Sequence, residues 1–109
     1  MKHELFLVLK SNRDTYHALE QIKNEGYNAT IVSTESLRHA VDYYPGDHHF
    51  FNLRHLEKED MLESVLCLFV VDDDRLEHLK EVIRTHTENF ERIKGFMYSW
   101  KIEDYEGSF

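Results

Sequence analysis

A chain of 109 residues with 41% apolar and 13% aromatic side chains, four glycines and one proline can bury one core and has too little material for two, which sets aside both intrinsic disorder and a second domain. Its 21 acidic residues outweigh 13 basic ones, and the resulting charge of -8 repels a phosphate backbone, which excludes nucleic acid as a natural partner. One cysteine, Cys67, sits inside an apolar run and cannot close a disulfide within the chain.

Met1-Lys2-His3-Glu4 leads straight into a short apolar stretch carrying Lys10, without a signal-peptide core or cleavage site. Leu5 to Leu9 is continuously apolar and too short for a stable helix, so it reads as a strand covered on both faces. Ser11 and Asn12 supply cap chemistry and Asp14 a first-turn acid. Tyr16, Leu19 and Ile22 then recur at helical spacing up to Gly26, defining a first helix ended by glycine. Tyr27 to Thr34 mixes β-branched and aromatic residues and predicts a second strand.

Periodicity fails between Glu35 and Asp60, apart from a short helical turn expected at Ser36 to Val41 and a turn at Pro45-Gly46. Ser64 to Val71 is the second continuous apolar run and the third strand. The longest such run, Val65 to Val71, is far below the roughly 20 residues a membrane helix needs. A cytoplasmic protein without membrane partners is therefore expected. Asp72, Asp73 and Asp74 head a second helix, with Asp74 expected as the cap and Leu76, Leu79, Val82 and Ile83 as its apolar stripe. After a polar connection from Thr85 to Lys94, strict alternation places Phe96, Tyr98, Trp100 and Ile102 on one face of a fourth strand.

The order strand, helix, strand, long excursion, strand, helix, strand predicts a single α+β domain over residues 1–109 of the ferredoxin-like βαββαβ kind. Its four-stranded antiparallel sheet carries two helices on one face, with a long loop between strands 2 and 3. Two helices cover one sheet face only, yet the first and third strands are apolar at consecutive positions. Each large apolar side chain left wet forgoes about 1.5–3 kcal/mol, so a homo-oligomer is expected to cover the second face. The alternative cover is the excursion itself, with Tyr43, Tyr44, Phe50 and Phe51.

Two strings narrow the family. Leu68-Phe69-Val70-Val71-Asp72-Asp73-Asp74-Arg75-Leu76-Glu77 carries an apolar strand through an Asp-Asp-Arg entry into a helix. Asn28-Ala29-Thr30 opens the second strand ahead of Thr34 and Leu37-Arg38. Together they resemble the PII-like signalling proteins, nearest the cyclic-di-AMP receptor branch. The resemblance implies a trimer with sheets facing inward, small ligands held in clefts between subunits, and a target-binding T-loop corresponding to residues 35–63. It also implies ligand-binding roles for Thr30, Leu37 and Arg38. Arg92 and Lys94 supply two charges in the shorter loop. Glu35 and Ser36 stand where the receptor pattern has Gly-Gly-Phe, adding negative charge beside a phosphate position.

Other constellations carry alternatives. Asp47-His48-His49, with His55 and Glu57, offers the imidazole and carboxylate ligands that Zn or Ni accepts, so a metal-binding oligomer using His48, His49 and His55 is a second reading. Adjacent histidines on an extended backbone point to opposite sides, which favours a solvated loop. The three aspartates suit a hard cation, but a helix entrance already accounts for them. A small ferredoxin-like enzyme pairing His3, or His55 with Glu57, as acid and base is a third. No Ser/His/Asp grouping, phosphate-cradling glycine loop or paired-cysteine motif appears. The leading expectation is a non-enzymatic regulatory oligomer that binds a small ligand at subunit clefts, with a nucleotide as one candidate.

Overall fold

The computed structural model describes residues 1–34, 37, 40, 41 and 64–108. In chain order the elements are β1 (Lys2–Lys10), α1 (Arg13–Asn24), β2 (Thr30–Thr34), β3 (Ser64–Asp72), α2 (Asp73–Thr87) and β4 (Gly95–Lys101). The strands form one antiparallel sheet in the order β2-β3-β1-β4. With both helices packed on one side, this is the ferredoxin-like α+β fold.

The two continuous apolar strands take the central positions, where both faces need side chains that leave water. Leu5, Leu7 and Leu9 of β1 lie opposite Phe69, Cys67 and Val65 of β3, and all six are buried beneath the helices. Ala18 and Ile22 of α1 and Leu76, Leu79, Val82 and Ile83 of α2 complete the core. The alternate residues, Phe6 and Val8 with Leu66, Leu68 and Val70, face the opposite side and are only half-buried.

Asn12 caps α1 through its side-chain oxygen, which accepts from the Thr15 amide at 3.0 Å. Past the C-cap Glu25, Gly26 turns the chain at a φ of 98°, a left-handed conformation that suits glycine. The buried line of this helix is Thr15, Ala18 and Ile22 rather than Tyr16, Leu19 and Ile22, and Tyr16 is 52% exposed. The rotation is possible because Thr15 donates its hydroxyl to the Lys10 carbonyl and so is buried with its polar group satisfied.

Three other boundaries differ from expectation. β2 begins at Thr30, where pairing with Leu68 starts, because Tyr27 is turned into the helix layer and hydrogen-bonded to α2. The cap position of α2 is Asp72, not Asp74, and Asp72 makes no side-chain cap bond. Its carboxylate is taken by Lys2 at 3.0 Å, while Asp73 binds His3 and lies 3.8 Å from the N-terminal ammonium. Finally, α2 continues to Thr87, whose buried hydroxyl donates to the Ile83 carbonyl and accepts from the Phe90 amide. Of the expected helical turn at Ser36 to Val41, the described residues Leu37, Ala40 and Val41 have helical backbone.

No helix among the described residues is long and apolar enough to cross a membrane.

Candidate functional site

The face of the sheet turned away from the helices carries a continuous apolar surface. Phe6 stacks on Tyr98 with ring centres 5.3 Å apart and meets Trp100 at 5.0 Å, while Phe96 and Tyr98 stack at 6.2 Å. Register makes this ladder: Phe6 lies opposite Tyr98, Val8 opposite Phe96 and Glu4 opposite Trp100. The three aromatic side chains of β4 remain 45–54% exposed. An apolar face left over by the two helices was the expectation from the sequence, and among the described residues neither helix covers this one; the alternative cover, Tyr43, Tyr44, Phe50 and Phe51, lies outside the described residues.

A cleft of about 520 Å³ opens where this face reaches the β2 edge. Leu68 and Val70 of β3 line it, with Thr30 beside Leu68 in register, Asn28 and Ala29 leading into β2, and Tyr105 from the C-terminal tail. The tail is held past β4 by the Ile102 amide, which donates to the Lys2 carbonyl at 2.9 Å. Lys2 then places its ammonium 5.4 Å from the centre of the Tyr105 ring. Its hydrogen bond to Asp72 raises the Lys2 pKa and lowers that of Asp72, so both stay charged. Asn28 turns its own side-chain oxygen back to the Ala29 amide at 2.9 Å. The lining is neutral, with an apolar floor, a phenol ring and hydroxyl and amide groups at the edge. Such a cleft suits a flat ring with hydrogen-bonding groups on its rim.

Of the described residues given a binding or catalytic role from the sequence, Thr30 alone lines this cleft. Leu37 is 79% exposed and takes no part in it. Arg38, His48, His49, His55 and Glu57 lie outside the described residues. Arg92 and Lys94 belong to the turn after α2, which enters β4 at the opposite edge of the sheet. Three strand spacings, about 14 Å, separate that edge from β2. Arg92 pairs with Glu88 at 2.9 Å and donates to the His86 carbonyl, and Lys94 stands 3.7 Å from Glu91. One chain therefore does not bring these cations to Thr30.

His3 and Asp73 form an imidazole–carboxylate pair at the end of the sheet, outside the cleft. Among the described residues no group of three or more His, Cys, Asp or Glu side chains is placed to hold a metal ion. Tyr105 was missed by sequence reasoning. The only signal available was an aromatic ring within a polar stretch of the tail, Glu103 to Ser108.

Sheet order and helix placement define a chain of the ferredoxin-like fold, with the cleft at the edge of its sheet. No protein-family model matches the sequence, and no curated protein sequence matches it either. Among solved structures it superposes on a protein of unknown function from Pediococcus pentosaceus ATCC 25745, with a TM-score of 0.60 at 10% identity over 99% of both chains. It also superposes on CPII from Thiomonas intermedia K12, in a structure bound to ADP and bicarbonate, with a TM-score of 0.53 at 15% identity over 91% of this chain and 83% of that one. At these identities the likeness is one of fold.

Proposed function

We propose that this chain is a non-enzymatic PII-like regulatory protein of the cytoplasm, which assembles through the open face of its sheet and binds an adenine nucleotide at the cleft beside Thr30. The observation that carries the reading is the cleft itself, a neutral site at the sheet edge with an apolar floor and a polar rim, bounded by Thr30, Leu68, Val70 and Tyr105. It sits at the border of the aromatic ladder, so a neighbouring copy docked on that ladder lies beside it. The ADP held by CPII supports the ligand class.

In a trimer with its sheets turned inward, cations that the cleft lacks among the described residues come from a neighbour, whose Arg92 and Lys94 lie at the opposite sheet edge. Arg38 and Leu37, at the base of the excursion, are proposed to complete the site, and residues 35–63 to carry the signal to a protein target.

Light scattering combined with a thermal-shift titration of ADP, ATP and cyclic-di-AMP tests this. A trimeric mass and a saturable rise in melting temperature with ADP, lost in Thr30→Tyr, are expected. A monomeric mass removes the assembly, and a flat response to all three nucleotides removes the ligand class.

A further inference from the structure

We propose that a groove on the helix-covered side of the same sheet edge is a second, separate site, which takes a zwitterionic α-amino acid with an apolar or aromatic side chain. The groove, about 400 Å³, lies between α1 and β2. It exists because the helix layer stops short of the edge strand. Ile31 is directed to the helix side and pairs with the fully buried Cys67, yet is itself 53% exposed.

Its floor is Ile22, Cys67 and Phe69, all buried. Burial pushes the Cys67 thiol up to about 11, which keeps that floor uncharged. Tyr27 forms a fixed wall: its hydroxyl meets His78 Nδ1 at 2.5 Å, and the Arg75 guanidinium lies 4.4 Å from its ring centre. A preset apolar wall and floor lower the ordering cost of binding.

The rim decides the ligand class. Glu20 and Lys23, three residues apart, stand on the same face of α1 and both line the groove. They do not form an ion pair with each other, nor with any other described residue. A simple anion attracted to Lys23 meets Glu20, and a simple cation attracted to Glu20 meets Lys23. A head group with an ammonium and a carboxylate on one carbon satisfies both, while its side chain fills the floor. The volume is near the lower end for ligand pockets and suits one such molecule.

The groove and the open-face cleft share only Asn28 and Ala29, so the two sites can be tested apart. Titration of the full chain with L-phenylalanine, phenylpropionate and phenethylamine, read by calorimetry and melting temperature, is the experiment. L-phenylalanine is expected to bind saturably, and each truncated analogue roughly two- to fivefold more weakly, since the rim charges are exposed and screened. Glu20→Gln and Lys23→Gln, both on exposed helix surface, should erase the preference over phenylpropionate and phenethylamine respectively. Ile31→Trp should fill the groove and abolish L-phenylalanine binding without changing the ADP response. No saturable binding by L-phenylalanine, equal binding of the three compounds, or binding unchanged in both rim variants overturns the proposal. The two rim variants keep the test decisive if Ile31→Trp fails to fold.

Discussion

Phe6 and Tyr98 stack with their rings 5.3 Å apart and 7° from parallel, on the face of the sheet that the helices do not cover. They are cross-strand partners on β1 and β4, so the antiparallel register sets the stack and fixes a flat aromatic surface beside it. Tyr98 is half exposed, so its ring sees solvent in an isolated chain. Replacing it with arginine puts a charge at the centre of that surface. If the face is where copies meet, Tyr98→Arg is expected to reduce the mass seen by light scattering to that of one chain while circular dichroism stays unchanged. An unchanged oligomeric mass places the interface elsewhere.

The Tyr27 hydroxyl and His78 Nδ1 approach within 2.5 Å and join the segment before β2 to α2. Tyr27→Phe keeps the ring, its packing and the Arg75 guanidinium contact, and removes the short hydrogen bond to His78, worth about 0.5–1.5 kcal/mol, with a long 3.5 Å contact to the Arg75 carbonyl that adds little. Tyr27→Ala also empties a buried site, at a cost of about 3–5 kcal/mol by analogy with other large aromatic truncations. Chemical denaturation should separate the two variants by a factor of two or more in lost stability. Equal losses would show that the hydroxyl contact, rather than the ring, dominates.

Gly95 opens β4 where the strand meets the end of β1. A Cβ there would lie 2.0 Å from the Val8 carbonyl oxygen and 3.0 Å from the Leu9 Cα. Both are backbone atoms of a central strand, so no side-chain rotation relieves the clash. Gly95→Ala is expected to cost at least the 1–3 kcal/mol typical of overpacking. Thermal melts would show this as a lowered midpoint, and an unchanged midpoint would mean the β1–β4 ladder yields easily at this end.

The central strands were legible because burial on both faces leaves an unbroken apolar run. Leu5 to Leu9 and Val65 to Val71 occupy the two inner positions for that reason. Helix rotation was less legible: apolarity points to Tyr16, but Thr15 is buried because the Lys10 carbonyl accepts its hydroxyl hydrogen. The aspartate cluster was read as a helix entrance in preference to a hard-cation site. Its actual contacts depend on β1 starting beside the first turn of α2, a tertiary relation that brings Lys2 to Asp72 and His3 to Asp73. Thr30 lines the cleft from a strand that was legible, whereas Tyr105 arrives through the path of the tail, for which no periodicity exists to read.

Lys2 and Asp72 give a pH signature. The Asp72 pKa is lowered below its ordinary 3.8, mainly by the Lys2 hydrogen bond, so this contribution is present above 3.8 and is lost as pH falls through the lowered value. The Lys2 pKa is raised above 10.5, mainly by Asp72, so its contribution is present below 10.5 and is lost as pH rises through the raised value. Both groups are open to solvent, so the effect is small and salt-sensitive. The melting-temperature difference between the parent and Lys2→Gln should be largest between these limits, should shrink at both extremes and should fall in high salt. A difference that is constant across pH would assign the effect to the lysine stem.

Glu88, Asn89 and Phe90 follow α2 with φ values of 53°, 56° and 63°, three consecutive non-glycine residues in the left-handed region. Such a conformation costs an ordinary L-residue about 1–2 kcal/mol, and asparagine tolerates it best. The turn is fixed by bonds on several sides: the Asn89 amide donates to the Arg84 carbonyl at 2.8 Å, the Phe90 amide to the Thr87 hydroxyl at 3.2 Å, and the Arg92 amide to the Thr87 carbonyl at 3.2 Å. Asn89 sits at the middle of the run, where its side chain is exposed. Asn89→Gly relieves the backbone but adds freedom to the unfolded chain, and these effects nearly offset, leaving stability within about 0.5 kcal/mol of the parent. Asn89→Val has no such compensation, because a β-branched residue is excluded from this region more strongly, and it should lose about 1–2 kcal/mol. Denaturant midpoints for the two variants decide the matter: similar midpoints would mean that the turn relaxes out of the left-handed region when its sequence changes.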